Sequence, residues 1–441
     1  MLALRGQVYM KNSILRCLST SPSLTGENQK YKLLIVGGGS AGCTMAAKFG
    51  KHFKKGEIAV IEPADTHYYQ PMFTLVGGGI KKLSECGKPM RTVLPDKVKW
   101  IKGSVTEFKP HNNSVTVLNG DEITYDFMIV AAGLQLNYEE IPGLVEALNV
   151  PNTGVCSNYS YKYVNRTYEI LKQFKSGNAI FTYPNTPVKC PGAPQKICYI
   201  AEDYFRKNGI RDKVNIIYNT SLPVLFGVKK YADALWKVVE QRDIKVNLRR
   251  NLVKIKPKEK IAVFQNLDVP EELTEMEYSM LHVAPPMSAP NSLKKSKDLV
   301  NDLGFVNVNK DTLQHFKYGN VFALGDCSAT PNSKTAASVA AQSDIVYQNL
   351  LALMEKRPLK GKYNGYASCP LVTGYGKCIL AEFDYDLNPL ETFPISQDKE
   401  MWLMYTMKKD LMPPLYWYGM LKGVWNGPGA VRNILHLNMK K

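Results

Sequence analysis

Three glycines near the N-terminus have the spacing that holds a dinucleotide. Gly37, Gly39 and Gly42 fit the pattern G-x-G-x-x-G and follow directly on the apolar run 33–36. A second apolar run ends on Glu62, 20 residues (62 − 42) after the last glycine. In such a unit the glycines allow a tight turn, a close approach of pyrophosphate and helix–strand packing, and the acid accepts a hydrogen bond from a ribose hydroxyl. The order of these signals predicts a dinucleotide-binding βαβ unit rather than a chance glycine-rich turn.

A cysteine and four prolines occupy the turn of a second α/β unit. Residues 179–181 and 214–218 have strand character and residues 195–205 have helical character, so 183–194 connects a strand to a helix. In pyridine-nucleotide flavoenzymes this turn holds the pyrophosphate of NAD(P)H. Proline removes a backbone donor and fixes φ. We therefore expect that the fold is kept and the nicotinamide site is lost, with Cys190 in its place.

Composition limits the classes of function. The 441 residues are 45% hydrophobic, enough for two or three domains, and the net charge of +17 favours a membrane surface or anionic substrates. No nucleic-acid motif is present, so nucleic acid is not expected as a partner. Nine Cys without a C-x-x-C motif indicate a compartment that keeps thiols reduced, in which any disulfide would be catalytic. The six His show no ligand spacing, and no metal site is expected.

Two further stretches suggest cofactor contacts. The buried run 321–324 leads to Asp326, and Lys334 precedes a helix of small residues. An acid at the end of a strand suits a ribityl hydroxyl of a flavin, and the helix dipole suits an anionic reduced flavin. A plain surface turn is the alternative. The glycine-rich loop 77–79 is expected to wrap a nucleotide.

The N-terminal residues 1–28 contain basic and hydroxyl side chains, with no acid before Glu27 and no long apolar stretch. This pattern predicts a mitochondrial transit peptide rather than a secretory signal. An N-terminal extension without a targeting role is the alternative.

The C-terminal residues 399–441 are rich in aromatic side chains and carry seven basic residues against two acids, a net charge of +5. No run of about 18 apolar residues occurs, so no segment is expected to span a bilayer. We expect Pro413-Pro414 to divide this region into two amphipathic helical pieces that lie in the membrane interface. The alternative is a helical hairpin packed on its own chain or on a second copy in a homodimer.

The motifs GGGSAG, HYYQPMFTLVGGG, FTYPNTPVKCPGAPQKI, ALGDCSATPNSKTAA and SCPLVTGYGKCILAEFDY resemble those of the mitochondrial sulfide:quinone oxidoreductases. The resemblance runs from about residue 31 to the C-terminus. It implies FAD as cofactor, hydrogen sulfide as electron donor and ubiquinone as acceptor, at the inner mitochondrial membrane. It also implies that Cys190 and Cys369 form the redox pair, and that a cysteine persulfide passes sulfane sulfur to glutathione or sulfite.

The resemblance also assigns side chains by position. Around FAD, besides the glycines, it implies contacts from Ser40, Ala41, Glu62, Gln70, Val105, Asp326 and Lys334. Because Cys190 stands where nicotinamide would meet a flavin, we expect it to face the flavin and Cys369 to carry the sulfane sulfur. Lys196 and Lys408 are candidates for attracting HS⁻ and an anionic acceptor, and the alternative is that both are solvated.

The expected fold is α/β, with two Rossmann-like domains arranged as in glutathione reductase and a C-terminal helical region. We expect an FAD domain in two parts, 29–150 and 291–360, a second domain at 151–290 and a C-terminal region at 361–441. A type II NADH:quinone oxidoreductase is the competing enzyme, but it would need glycines near residue 183. A flavin-bearing scaffold without turnover is the competing non-enzyme.

Overall fold

The structure is a computed structural model that describes residues 29–437. Its first sheet is centred on the strand Gln29–Val36, whose residues 33–36 are buried because helices and loops cover both faces. Within the described residues this sheet has seven strands. Their spatial order is Lys99–Ile101, Ile58–Ile61, Gln29–Val36, Glu122–Val130, Ser114–Val117 and Val105–Lys109, with Val321–Ala323 also paired in parallel to Glu122–Val130.

The second sheet is parallel throughout and has five strands among the described residues. Their order is Val155–Cys156, Met280–His282, Gly177–Tyr183, Val214–Thr220 and Lys245–Asn247. Each sheet therefore contains a strand–turn–helix–strand unit in which the two strands are neighbours. In the first sheet the turn 37–39 precedes the helix Ser40–Phe49, and in the second the turn 184–192 precedes the helix Ala193–Lys207.

Helices cover the sheets. The α-helices of the described residues are Ser40–Phe49, Phe73–Gly77, Met90–Val93, Leu144–Asn149, Val164–Gln173, Ala193–Lys207, Lys229–Gln241, Asn291–Lys295, Ala336–Met354, Trp402–Thr406, Met412–Pro414 and Gly429–Leu435. Ala336–Met354 begins at Thr335, whose hydroxyl accepts a hydrogen bond from the Ser338 amide at 3.1 Å. This N-cap explains why the helix starts just after Lys334.

Four small sheets complete the described structure. They are the antiparallel three-stranded sheet Arg250–Lys256, Ile261–Asn266 and Leu273–Glu277, and the pairs Thr66–Tyr68 with Gly87–Pro89, Gln135–Leu136 with Met287–Ser288, and Ala367–Gly374 with Lys377–Phe383. We call the last pair the Cys369 hairpin. Its first strand is buried along its whole length and packs on the helix Ala193–Lys207. This packing brings Cys369 to the turn that carries Cys190.

The expected break at Pro413-Pro414 is wrong. Residues 402–420, which we call the C-terminal helical segment, stay helical through both prolines, with π-helical turns at Met407–Leu411 and Leu415–Met420. The wider i→i+5 turns on both sides accommodate prolines that lack an N–H. The helix ends instead before Gly423 (φ +71°), and the next helix starts at Gly429.

The glycine-rich loop 77–79 packs on the second α/β unit, and its contact with a nucleotide stays a prediction. A Cβ on Gly78 would lie 2.7 Å from Ile200, and a Cβ on Gly77 or Gly79 would collide with Asn158 or Tyr168. These glycines allow the first part of the chain to pack closely on helices of the second α/β unit. The expected transit peptide, residues 1–28, lies outside the described residues.

Candidate active site

The glycine turn leaves an open space beside a helix N-terminus. Gly37 has φ +102°, and a Cβ there would collide with the carbonyl of Ala131. A Cβ on Gly42 would collide with the Gly37 carbonyl, so this glycine allows the helix to pack on the strand. A Cβ on Gly39, in contrast, would meet nothing within 4 Å. The helix Ser40–Phe49 has no side-chain N-cap, so its first N–H groups face that space.

Glu62 is held at this turn by two backbone amides. Its carboxylate accepts hydrogen bonds from the N–H of Gly38 at 2.6 Å and from the N–H of Ala64 at 2.8 Å. A Cβ on Gly38 would lie 2.7 Å from Glu62 Cγ. Gly38 was missed in the fingerprint because it occupies an unspecified position, yet it is the glycine that makes room for the acid.

Two other expected cofactor residues, Val105 and Gln70, lie in different parts of the structure. Val105 is buried and starts a strand four residues after Ile101, whose carbonyl accepts the Glu62 N–H. Gln70 is exposed, and its Oε1 accepts a hydrogen bond at 2.6 Å from Lys189, next to Cys190. Gln70 therefore lies at the cysteine turn rather than at the glycine turn.

Asp326 and Lys334 form an electrostatic group with Lys189. The Asp326 carboxylate has no hydrogen-bond partner among residues 29–437, and burial raises its pKa despite the opposing charges of both lysines. Burial also lowers the pKa of Lys334 to about 8, although Asp326 partly offsets the effect. Lys334 Nζ donates to the carbonyls of Ser328 and Thr330 at 2.7 and 2.9 Å. Asp326 is thus available to accept from a ligand hydroxyl.

Cys190 and Cys369 lie side by side. Their Sγ atoms are 4.0 Å apart although 179 residues separate them in sequence. Cys190 has φ +54°, a left-handed conformation that is costly for a non-glycine residue. Its N–H donates to the Lys334 carbonyl at 2.8 Å, so the cysteine turn is tied to the segment that carries Asp326 and Lys334.

Gly192 allows the two cysteines to approach. A Cβ at this position would lie 2.5 Å from Cys369 Sγ and 2.7 Å from Leu371 Cδ2. Its φ is −81°, so space and not backbone conformation requires glycine here. The sequence alone contained no signal for this role, because the clash involves a residue of a distant hairpin.

Two buried lysines surround the cysteine pair, so the alternative of solvated side chains is wrong. Lys196 and Lys408 are each 3% exposed. Lys196 Nζ lies 3.3 Å from Cys190 Sγ, and Lys408 Nζ donates to the Pro71 carbonyl at 3.0 Å. Burial, with the charge of Lys196, lowers the pKa of Lys408 to about 8. Burial acts against the charge on Lys196 too, but the adjacent thiolates outweigh it and raise its pKa.

The two thiols differ in acidity. A hydrogen bond from Cys369, together with the charges of Lys196 and Lys408, holds the pKa of Cys190 well below its usual value. The same hydrogen bond and burial raise the pKa of Cys369. The first thiolate of the pair therefore forms on Cys190. By contrast, burial raises the pKa of the neighbouring Cys378 thiol to about 12, as expected of an unreactive packed cysteine.

Comparison with known proteins identifies the family. A model described as pyridine nucleotide-disulphide oxidoreductase matches residues 31–176. The chain is 51% identical to the mitochondrial sulfide:quinone oxidoreductase of Mus musculus, over 96% of this chain and 93% of that protein. It is 43% identical to the mitochondrial sulfide:quinone oxidoreductase of Dictyostelium discoideum, over 96% of this chain and 98% of that protein. The chain belongs to the sulfide:quinone oxidoreductase family.

Family membership confirms several expectations. The protein is a flavoprotein oxidoreductase whose cofactor is FAD, and it is mitochondrial like these relatives. The solved sulfide:quinone oxidoreductase of Aquifex aeolicus has the same fold, with a TM-score of 0.78 at 20% identity, over 93% of this chain and 96% of that chain. The expected α/β architecture with two Rossmann-type sheets is therefore confirmed.

The residues of this sulfide:quinone oxidoreductase fit FAD. The open space at Gly39 and the uncapped helix suit a diphosphate, and Glu62 suits a ribose. Asp326, whose carboxylate has no hydrogen-bond partner within the described part of the chain, suits a ribityl hydroxyl. Ser40 was expected to contact FAD. Its hydroxyl lies 2.8 Å from the hydroxyl of Tyr416 in the C-terminal helical segment, so the side chain already has a protein partner. Sequence reasoning missed Tyr416 and its second partner, His67.

Proposed function

We propose that the protein oxidises hydrogen sulfide at Cys190 and Cys369 and delivers the electrons to ubiquinone. The observation that carries this proposal is the cysteine pair, with sulfurs 4.0 Å apart and Lys196 3.3 Å from Cys190, in the turn where a second dinucleotide would otherwise bind. The names of the relatives, sulfide:quinone oxidoreductase, support the same substrates.

The first step is attack of HS⁻ on the Cys190–Cys369 disulfide. The new sulfur–sulfur bond forms at Cys369, and the bond between the cysteines breaks to leave Cys190 as thiolate and Cys369 as persulfide. A thiol of low pKa is the better leaving group in such an exchange. The depressed pKa of Cys190 and its contact with Lys196 therefore favour attack at Cys369.

The second step releases the sulfane sulfur. A small nucleophile, glutathione or sulfite, or a second HS⁻ when sulfide alone is supplied, attacks the outer sulfur of the persulfide, and Cys369 leaves and takes up a proton. The buried Lys408, whose pKa is about 8, can donate this proton and then recover it from solvent. Because Cys369 is only 2% exposed, this step requires the Cys369 hairpin or the C-terminal helical segment to open for the acceptor.

Reoxidation of the pair completes the cycle. Cys190 thiolate and Cys369 thiol form a disulfide again, with loss of one proton and one electron pair. Bound FAD would accept this pair and pass it to the quinone. The hydrogen bond from Cys190 N–H to Lys334 ties the thiolate to the segment with Asp326, which supports Cys190 as the flavin-facing cysteine.

Anaerobic mixing tests this function. The flavin absorbance of the purified holoenzyme is followed with sulfide alone and with NADH alone, and a ubiquinone analogue is then added. We expect sulfide to bleach the flavin and quinone to restore it, while NADH has no effect. Bleaching by NADH alone would overturn the proposal and favour a type II NADH:quinone oxidoreductase. Absence of bleaching by sulfide would favour a scaffold without turnover.

We also propose that the quinone and membrane side of the protein is its C-terminal region. Large apolar side chains are exposed there, including Trp402, Leu411, Val424 and Ile434. None of the helices in residues 29–437 combines the length and hydropathy that a bilayer crossing requires. We expect the triple variant Trp402→Ser, Leu411→Ser, Ile434→Ser to lose sedimentation with anionic phospholipid vesicles. Leu118→Ser, an exposed leucine on another face, is the control, and equal binding of both would contradict the assignment.

The two sheets support the proposed domain division. The FAD domain comprises 29–150 and 291–360, since the strand Val321–Ala323 returns to the first sheet, and 151–290 forms the second domain. The C-terminal region, 361–441, contributes the Cys369 hairpin and the helices of the proposed membrane side.

A further inference from the structure

A buried hydrogen-bond chain joins the glycine turn to the C-terminal helical segment. Tyr416 is 3% exposed, and its hydroxyl lies 2.8 Å from Ser40 Oγ and 2.5 Å from His67 Nε2. His67 is also 3% exposed, and its Nδ1 lies 3.0 Å from the Gly38 carbonyl. Residues 376 positions apart in sequence are thereby joined through polar groups that the sulfur chemistry does not use.

The direction of these hydrogen bonds follows from the groups themselves. The Gly38 carbonyl only accepts, so His67 Nδ1 must carry a proton. Burial lowers the pKa of His67 to about 4, which keeps the ring neutral at pH 7 and leaves Nε2 to accept from Tyr416. Tyr416 has then given its single proton, so Ser40 donates to Tyr416. The chain therefore runs from Ser40 through Tyr416 and His67 to the phosphate-binding turn.

The same segment reaches the cysteine pair. The ring of Tyr416 packs on that of Tyr69, with centroids 4.3 Å apart, and Lys408 Nζ lies 5.8 Å from the Tyr69 ring centroid. Lys408 also donates to Pro71, two residues after Tyr69. Docking of Tyr416 and placement of Lys408 near the two sulfurs thus depend on one stretch of chain, residues 67–71.

We propose that Tyr416 and His67 are positioning residues that couple FAD binding at the glycine turn to docking of the C-terminal helical segment. This inference rests on the proposed place of the FAD diphosphate beside Ser40, and it is independent of the sulfide chemistry. Coupling of this kind is reciprocal. The backbone N–H of Ser40 is one of the uncapped amides that face the diphosphate, while its hydroxyl donates to Tyr416, so bound FAD fixes Ser40 and through it the segment, and the docked segment stabilises bound FAD.

Two readouts on the holoenzyme test the coupling without measuring activity. One is the half-time of FAD release in dilute urea, followed by flavin fluorescence. The other is amide hydrogen exchange of residues 402–421. We expect Tyr416→Phe, which removes the hydrogen bonds to both Ser40 and His67, to accelerate both by at least about tenfold, the size of one buried hydrogen bond. The contact between the rings of residues 416 and 69 remains in this variant, which protects the fold. Tyr418→Phe, two residues away and 67% exposed, is the matched control and should change neither.

A double-mutant cycle with Ser40→Ala completes the test. If one hydrogen-bond chain links the two residues, the double variant releases FAD no faster than the worse single variant. Additive effects would overturn the coupling, as would faster exchange of residues 402–421 in Tyr416→Phe with unchanged FAD release. If Ser40→Ala alone left both FAD release and the exchange of residues 402–421 unchanged, the coupling through Ser40 would be overturned, and the bleaching experiment with sulfide would separately decide the proposed activity.

Discussion

The two strand-to-helix turns of this protein occupy equivalent places and are built for opposite purposes. In the first sheet three residues, 37–39, connect Gln29–Val36 to the helix, and the space beside Gly39 is left open. In the second sheet nine residues, 184–192, make the same connection, and the space beside Gly192 is filled by the sulfur of Cys369. A glycine stands at each turn, but one admits a ligand and the other admits a side chain of the same chain.

The comparison shows how one fold can exchange a bound cofactor for its own residues. The first turn retains uncapped N–H groups, which favour an anion. The second turn contains prolines that remove donors, and it carries a thiol whose charged form is stabilised by the buried Lys196. We infer that the electron donor at the second turn has changed from a dinucleotide to a thiolate.

The largest expected effect comes from removing either sulfur of the second turn. Cys190→Ser and Cys369→Ser should each slow sulfide-driven flavin bleaching by at least about 10³-fold, since loss of an attacked or leaving group disables the whole step. Stopped-flow absorbance measures the rate, and both variants should keep FAD. Cys378→Ala, in the same hairpin as Cys369, is the control and should retain fast bleaching. Full activity in either serine variant would contradict the proposed mechanism.

Matched glycine substitutions separate the two turns. Gly192→Ala places a methyl group 2.5 Å from Cys369 Sγ and must push the two sulfurs apart. Sulfide-driven bleaching should slow about 100-fold, because a misplacement of reacting atoms by about 1 Å lowers the rate by about that factor. FAD should stay bound. Gly39→Ala meets no protein atom within 4 Å and should weaken FAD binding without disturbing the cysteines. FAD titration by fluorescence measures the effect of Gly39→Ala, and stopped-flow absorbance of sulfide-driven bleaching measures that of Gly192→Ala. The same defect in both variants would contradict the comparison.

The first turn was more predictable than the second because its signals are local. The glycines, the helix start and Glu62 fall within 26 residues (62 − 36) and follow from close backbone packing. The pairing of Cys190 with Cys369 depends on a hairpin 179 residues away and was available only through the family resemblance. Gly192, His67 and Tyr416 were missed for the same reason, since their roles come from tertiary contacts, whereas Gly38 was missed because the glycine pattern leaves its position unspecified. The rule that proline ends a helix failed at Pro413-Pro414 because π-helical turns flank the prolines there.

His67 should make the first turn sensitive to acid. Its pKa falls from 6.5 to about 4 on folding, so the unfolded chain binds the proton more tightly and stability decreases as pH drops from 6.5 towards 4. At pH 5 this amounts to roughly thirtyfold in the folding equilibrium, about 2 kcal/mol. Urea unfolding at pH 7 and pH 5 should show that His67→Gln loses this part of the pH dependence.

The control for that experiment is His111, whose side chain is 58% exposed. His111→Gln should keep the acid sensitivity of the wild type. The buried His282, with a pKa of about 3, adds a similar contribution, so a residual slope is expected in His67→Gln. An unchanged slope in this variant would show that His67 is not the titrating group at the first turn.

The smallest expected effect comes from replacing Lys196. This substitution tests whether the Cys190 thiolate is stabilised by the lysine charge or only by packing. Lys196→Met keeps most of the apolar stem and removes the ammonium 3.3 Å from Cys190 Sγ. The pKa of Cys190 should rise, so the pH profile for alkylation of the reduced enzyme by iodoacetamide should shift to higher pH. The Cys190 hydrogen bond from Cys369 remains in the variant, so the pKa should stay below its ordinary value.

The pH profile of alkylation, with modified residues located by mass spectrometry, measures this shift. Lys207→Met, an exposed lysine at the other end of the same helix, should leave the profile in place. If both variants gave the same profile, the charge of Lys196 would not stabilise the thiolate, and the second turn would differ from the first by its packing alone.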